Sequence, residues 1–420
     1  MLRRLRSVPR PSRARAVAAA VLAAALTVLG ACSQPVGSGP GASISAGSVA
    51  PTPTAGRPTP SEPDPTPVTV AFVEATALEP PADRIAPAYQ GAKLAFATAE
   101  LRGELPAPVE IEVLDSGGTL AGTLEVAAGI VAHPRTVAVI AAPGLPWQAV
   151  LGDALDAAGV PWVSLSTAGA DLARRGWSGW RALVPDQVAE GEALGRVLHG
   201  LHRARQGLCV LEQRGIPAGR LRDAAIRAAG VPVVLETLVE DSTGSVAAAA
   251  SGVADRGCGA VLWTGEGALG AALRRRLVEL GLGRTPFLGT ERIRDAGYLE
   301  AAGAAAEGTL AVCPCADVST STRLVHQRFI QDYQAEFGLA PGSYAVEGWD
   351  AAELLISALR SGAPSRAQVR EALDDTDRFE GLAVTYRFGR VGELLQPASV
   401  IHTYRVEGGR WLELPGQRRR

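Results

Sequence analysis

The sequence predicts an α/β protein of two doubly wound parallel-sheet lobes joined by a hinge that the chain crosses several times. Two observations carry this. From Val68 to Thr290, short apolar runs rich in β-branched residues alternate with amphipathic helical stretches, and the rhythm restarts after "WRALVPDQ". After the second half the alternation gives way to a helical block and then to antiparallel strands, the pattern of a chain returning to its first lobe. At 420 residues the chain is also too long for one ordinary core.

The first half reads as "VTVAFV", a helix over 86–101, "VEIEVLD", a helix over 120–132, "TVAVIAA", a helix over 147–158, and "VPWVSLS". The second reads as a helix over 188–203, "LCVLE", a helix over 218–229, "VPVVLETLV", a helix over 245–256, "AVLWTG", a helix over 268–280, and "PFLGT". Gly or Pro at the strand ends supports each boundary. Helices over 321–337 and 343–359, a short one near Gln368, and the strands "LAVTYRFG" and "SVIHTYRVEGGRWLEL" complete the chain. This organisation assigns residues 68–184 and 318–378 to an N-terminal lobe, and residues 185–317 and 379–416 to a C-terminal lobe.

The first 67 residues do not belong to either lobe. Arginines at 3, 4, 6, 10, 13 and 15 precede a small, apolar run from Ala16 to Leu29, too short to span a bilayer. This is the layout of a secretory signal peptide over residues 1–31. The run ends in "LGAC", which resembles the bacterial lipobox, and the resemblance implies that Cys32 becomes the first mature residue and carries acyl chains such as palmitate. Residues 32–67 are mostly Ser, Gly, Pro, Thr and Ala, which bury no core and form a disordered tether. Lipid, tether and globule in that order describe a protein held at the extracytoplasmic face of the cell membrane.

A net charge of −2, from 41 basic and 43 acidic residues, points away from nucleic acid as a partner. With Cys32 set aside, Cys209, Cys258, Cys313 and Cys315 remain, an even number that an exported protein can oxidise. Cys209 and Cys258 each sit at the start of a strand and are expected to bridge, whereas "CPC" is too close for a relaxed bridge across its proline. A metal site on two thiols without a nearby His is a poor zinc signature. The sequence holds no P-loop, no dinucleotide-binding glycine motif, no metalloprotease helix and no nucleophile elbow. The expectation is a non-enzyme without cofactor.

"VPWVSLSTAGADL" runs an apolar strand into three hydroxyls, Ser164, Ser166 and Thr167. Such hydroxyls either cap the helix that follows or bind a ligand, because open α/β sheets bind ligands beyond the C-terminal ends of their strands. Glu291 in "FLGTER" occupies an equivalent strand end. Trp147, Trp263 and Glu266 are further candidates, and Glu212 and Arg214 end another strand.

Taken in order, "GAKLAFATAEL", "VEIEVLDSGG", "TVAVIAAPG", "AAGVPWVSLSTAGADL", "WRALVPDQVAEGEAL", "FIQDYQAEFGLAPGSYAVEGWDAAELLISAL" and "FEGLAVTYRFGRVGE" resemble the type I periplasmic binding proteins. The resemblance is to the leucine/isoleucine/valine-binding branch, and it covers roughly Val68 to Leu414. It implies an ABC-importer substrate-binding lipoprotein, a monomer that closes its lobes over a small polar solute and delivers it to a membrane permease. Ser164, Ser166 and Thr167 would line the first lobe's wall, and Glu291 matches the acid that receives a ligand ammonium. Other positions depart from the family: the loop serine falls near Leu145, the next threonine at Ala168, and two aromatics near Ile216 and Glu266–Gly267. The scaffold matches and much of the amino-acid clamp is rewritten, which leaves open a membrane-receptor sensor or an envelope scaffold.

Overall fold

The computed structural model describes residues 66–75, 82–166, 172–360, 362 and 364–415, with residues 82–85 described by backbone alone. The signal segment, Cys32 and the tether before residue 66 lie outside the described residues, as does Thr167.

The first half forms β1 (Val68–Glu74), α1 (Ala82–Leu101), β2 (Val109–Asp115), α2 (Leu120–Ala132), β3 (Thr136–Ala141), α3 (Gln148–Ala157), β4 (Trp162–Ser164) and β5 (Trp180–Ala182). Its strands pair in the order β2-β1-β3-β4-β5, parallel throughout. The inner strands β1 and β3 are buried along almost their whole length, as parallel strands covered by helices on both faces must be. The edge strand β2 is partly exposed along its length, which is why "VEIEVLD" alternates.

The second half forms α4 (Gln187–Gly200), β6 (Leu208–Gln213), α5 (Gly219–Ala229), β7 (Val233–Val239), α6 (Thr243–Asp255), β8 (Ala260–Trp263), α7 (Gly267–Glu279), β9 (Phe287–Gly289), α8 (Ala296–Ala302) and β10 (Leu310–Cys313). The chain continues through α9 (Leu324–Phe337), α10 (Ala345–Leu359) and α11 (Arg366–Asp374), the small hairpin β11 (Arg378–Glu380) and β12 (Thr385–Arg387), then β13 (His402–Glu407) and β14 (Arg410–Glu413). The second sheet runs β14-β13-β10-β9-β8-β6-β7, with β13 antiparallel to both of its neighbours, β10 and β14.

Three strands go unread in the sequence: β5 and β10, each the last strand before the chain leaves its lobe, and β11, the first strand of the small hairpin. In β5 the apolar run is broken by Arg181. That guanidinium is buried, donates to the Trp180 and Thr376 carbonyls, and stacks over Phe388.

The β11–β12 hairpin packs on the first lobe, whereas the sequence alone puts residues 379–416 in the second. Asp350 of α10 accepts from Leu382 N at 2.7 Å and Tyr386 OH at 2.9 Å, and Ala182 N donates to Gly392 O at 3.0 Å. Buried Tyr386 and Phe388 complete the first lobe's core. Only from about Val400 does the chain join the second sheet.

Helix pairs hold each lobe through close glycine contacts. A Cβ at Gly91 would fall onto the Ala345 carbonyl oxygen, and one at Gly348 onto that of Ala88, so α1 and α10 touch backbone to backbone. Gly191 and Gly195 do the same for α4 on α5.

Cys209 and Cys258 are joined in a disulfide, their Cα atoms 5.8 Å apart at the base of the neighbouring strands β6 and β8. Cys313 and Cys315 are joined as well, against the expectation for "CPC". The chain bends at Pro314 and brings the two Cα atoms to 5.1 Å, inside the usual range for a bridge.

Candidate functional site

The crossover Leu183–Asp186 takes the chain from the C-terminal end of β5 into the first turn of α4. Four residues span at most about 14 Å. Glu190, in that first turn, meets Glu291 just beyond the C-terminal end of β9. The strand-end edges of the two sheets therefore adjoin. Side chains at those edges form the two walls of the candidate site.

On the first wall the hydroxyl cluster divides. Ser164 is fully buried and its Oγ donates to Gln148 Oε1 at 2.7 Å, which places it behind the wall rather than on it. Ser166, also buried, donates to the Leu145 carbonyl at 3.4 Å. These two serines tie the end of β4 to the β3–α3 loop. Trp147 is different: it is 48% exposed, and its Nε1 donates to Gly118 O at 3.2 Å, bridging the loops after β2 and β3. Its backbone is left-handed, φ 57°, just before α3. A non-glycine residue held there costs roughly 1–2 kcal/mol, and the return is a fixed aromatic ring on the rim. Glu74, at the end of β1, was not singled out by sequence; burial first, and Asp115 at the end of β2 second, raise its pKa.

The second wall is built from acids around one arginine. Glu291 is 9% exposed, in the short turn Glu291–Ile293 that follows β9. The adjacent Arg292 lies 3.8 Å from Glu291 and donates closely to Glu266, which precedes α7. Although burial opposes it, these carboxylates raise the Arg292 pKa and hold the guanidinium charged. Gln213 Oε1 fixes the Glu266 backbone N–H at 2.8 Å. Behind them lies Glu190, 1% exposed. Burial, and then the facing Glu291, push its pKa well up and so favour its neutral form. Sequence reading missed it because a Glu in a helix's first turn is usually a solvated dipole partner.

The remaining candidates have structural partners. Trp263 is buried in the second core with its Nε1 on the Glu266 carbonyl, so it is not a cleft residue. Glu212 accepts from Arg222 at 2.8 Å, and Arg214 pairs with Glu240 at 2.9 Å. Among the described residues no group of three or more His, Cys, Asp or Glu is arranged to hold a metal ion. A cavity of about 770 Å³ opens away from the site, at the N-terminal ends of β1 and β3, lined by Pro67, Pro106, Arg135 and Arg366.

Two open parallel sheets with adjoining strand ends and three crossings between them have a counterpart among known families. The family model described as "periplasmic binding protein" matches residues 79–409. The chain belongs to the periplasmic binding protein family. Solved structures similar to this family member cover the same lobes. The substrate-binding protein of a branched-chain amino acid transporter from Streptococcus pneumoniae, in complex with isoleucine, has a TM-score of 0.71 at 14% identity, over 83% of this chain and 100% of that one. An ABC transporter substrate-binding protein from Desulfitobacterium hafniense, in complex with Leu, has 0.66 at 18%, over 83% and 100%. A solute-binding protein from R. palustris, in complex with benzoate, has 0.67 at 18%, over 83% and 96%. At these identities the likeness is one of fold, the type I arrangement of two α/β lobes. No curated protein matches this binding protein in sequence.

Proposed function

We propose that this binding protein is the extracytoplasmic, lipid-anchored receptor of an ABC importer, and that it takes a small polar solute bearing a protonated amine between its lobes. The observation that carries the reading is the charge of the adjoining strand ends. Glu74 and Asp115 end adjacent strands of the first sheet; at the second, Glu266 and Glu291 share the Arg292 guanidinium and the buried Glu190 faces Glu291. A low-dielectric crevice of that sign favours a cation and disfavours a free carboxylate. Glu291 is the residue that would meet the amine, and Trp147 the ring that would cover the solute's apolar part. Relatives have been seen with Leu, isoleucine and benzoate; of these the two amino acids fit an acidic wall and benzoate does not. Hinge closure would exclude water and strengthen the attraction between the paired charges, with no chemistry performed on the solute. Lipidation at Cys32 would keep the receptor near its permease.

The test is a thermal-shift screen of the purified protein against amino acids, amides, short peptides, amines, sugars and benzoate. A ligand at 100 times its Kd stabilises by about 2.7 kcal/mol. An amine-bearing hit that disappears in Glu291→Gln supports the reading. A blank across the whole panel overturns it in favour of an envelope scaffold, and a hit confined to benzoate or sugars overturns the amine.

A further inference from the structure

Two of the crossings between the lobes border a cavity of about 300 Å³ that the candidate site does not use. Its walls come from four elements: Trp180 of β5, Asp186 of the first crossing, Val188 and Glu192 of α4, and Glu393 and Leu394 of the last crossing, between β12 and β13. The cavity stands apart from the strand-end walls. On α4, Glu190 faces Glu291, whereas Val188 and Glu192, each two residues away, lie about 200° around the helix axis. Helix α4 thus turns one side to the candidate site and the opposite side to this cavity.

Trp180, Val188 and Leu394 give the cavity apolar surface, and the charged side chains lining it, Asp186, Glu192 and Glu393, are all carboxylates. Asp186 is oriented by Ala189 N, which donates to its Oδ1 at 2.8 Å. Glu192 is exposed, with Arg196 at 3.9 Å. Glu393 is placed differently. Its carboxyl lies against Gly389, where a Cβ would strike both oxygens, and its Oε2 is buried with no hydrogen-bond donor among the described residues. Arg181 acts on it electrostatically, but that guanidinium is engaged by the Trp180 and Thr376 carbonyls and by Asp374 at 3.7 Å. Trp180, 2% exposed, likewise has no acceptor for its Nε1–H among the described residues. A low-dielectric pocket lined by carboxylates favours a cation with an apolar body. Its volume is at the small end of ligand sites.

We propose that this cavity is a second ligand site, at the hinge, which takes a small amine with an apolar body and thereby sets the angle between the lobes. The ammonium meets the carboxylates, and the body lies against Trp180 and Leu394. Because the walls belong to both lobes and to two crossings, rotation of one lobe on the other changes the spacing between them. A ligand in the cavity therefore binds one hinge angle better than another and shifts the population toward it. By linkage, occupancy at the hinge and occupancy at the strand ends change each other's affinity by the same factor. The hinge site is independent of the amine proposed for the strand ends.

The experiment uses the purified protein and three variants: Val188→Trp, which fills the cavity, Glu393→Gln, which removes its most buried charge, and Glu291→Gln at the strand ends. The probes are 2-phenylethylamine, cyclohexylamine and the uncharged 2-phenylethanol. Titration calorimetry reads affinity, and hydrogen exchange by mass spectrometry reads protection over residues 183–192 and 389–397. The expected result is binding of at least one amine, with exchange slowed in both segments. Its affinity should be lost in Val188→Trp, fall about tenfold in Glu393→Gln and hold in Glu291→Gln, while 2-phenylethanol binds more weakly than the amine. Should Val188→Trp fail to fold, Glu393→Gln decides alone. Binding lost in Glu291→Gln but kept in the cavity variants moves the amine to the strand ends; it overturns the hinge site and leaves the proposed function standing. Silence from both amines overturns the hinge site, and equal binding of 2-phenylethanol overturns its cation. Binding without protection of residues 389–397 overturns its control of the hinge.

Discussion

Arg294 and Ser343 hold each other reciprocally across the lobes: the guanidinium donates to Ser343 Oγ at 2.7 Å, and that hydroxyl donates back to the Arg294 carbonyl at 2.7 Å. Arg294 follows β9 in the second lobe, and Ser343 precedes α10 in the first. The same guanidinium donates to Asp317 in the second crossover at 2.6 Å and stacks 4.0 Å over the Tyr404 ring. Tyr404 in turn donates to the Cys315 carbonyl at 2.6 Å. One buried arginine therefore ties both lobes to the crossover between them.

Ser343→Ala removes both reciprocal bonds and leaves part of a buried cation unmet. A loss of about 1–3 kcal/mol is expected, read as a lowered Tm. The lobes should also separate more readily, seen as a larger radius of gyration by small-angle scattering. An unchanged Tm and an unchanged radius would show that the contact is incidental.

Two buried acids beneath the hinge make stability depend on pH. Burial raises Glu347 to about 8 and Asp350 to about 7. Each has a folded pKa above its unfolded value, so the folded state binds more protons. Their contribution is fully present below about pH 4, where both states are protonated, and declines as pH rises to about 7 for Asp350 and about 8 for Glu347. Glu347→Gln keeps an oxygen for the Ala316 N–H, which now lies 2.7 Å from Glu347 Oε1. Denaturant melts of the wild type and this variant between pH 5 and 8 should show the variant's curve flattened. Parallel curves would refute the assignment.

The Cys209–Cys258 bridge closes a separation of 49 residues. Constraint of the unfolded chain at that length is worth about 4 kcal/mol. Replacing both cysteines by serine should lower the denaturation midpoint and raise the m value, because the unbridged unfolded chain exposes more surface. Equal midpoints with and without the bridge would mean that the unfolded chain is not constrained there.

Trp147 separates stability from binding. Trp147→Gly relieves the left-handed backbone and should hold or raise Tm, by an amount on the order of 1 kcal/mol. The same change should weaken any ligand found in the screen by removing its aromatic cover. If the variant melts lower and binds normally, the ring serves packing and not the site.

Much of the fold is legible because parallel strands covered on both faces must be continuous and apolar. "VTVAFV", "TVAVIA" and "AVLW" are such runs, and the helices between them follow from their spacing. The strand-end position of Glu291 follows from the same pattern, since each strand's C-terminal end is set by its place in the chain. What sequence could not decide is which side chain at those ends faces outward. Ser164 and Ser166 have the composition of a binding loop, yet both turn inward to Gln148 and Leu145. Glu190 has the composition of an ordinary helix start, yet α4 is pressed onto α5 by Gly191 and Gly195 and sinks the carboxyl beside Glu291. The sequence by itself determined the two α/β halves, their order and the strand-end position of Glu291, because these depend on local periodicity. The buried acid pair, the Arg294–Ser343 tie and the docking of the β11–β12 hairpin on α10 were decided by tertiary structure alone. Each is a contact between residues far apart in the chain, and its energy depends on burial and charge that exist only once the lobes have packed.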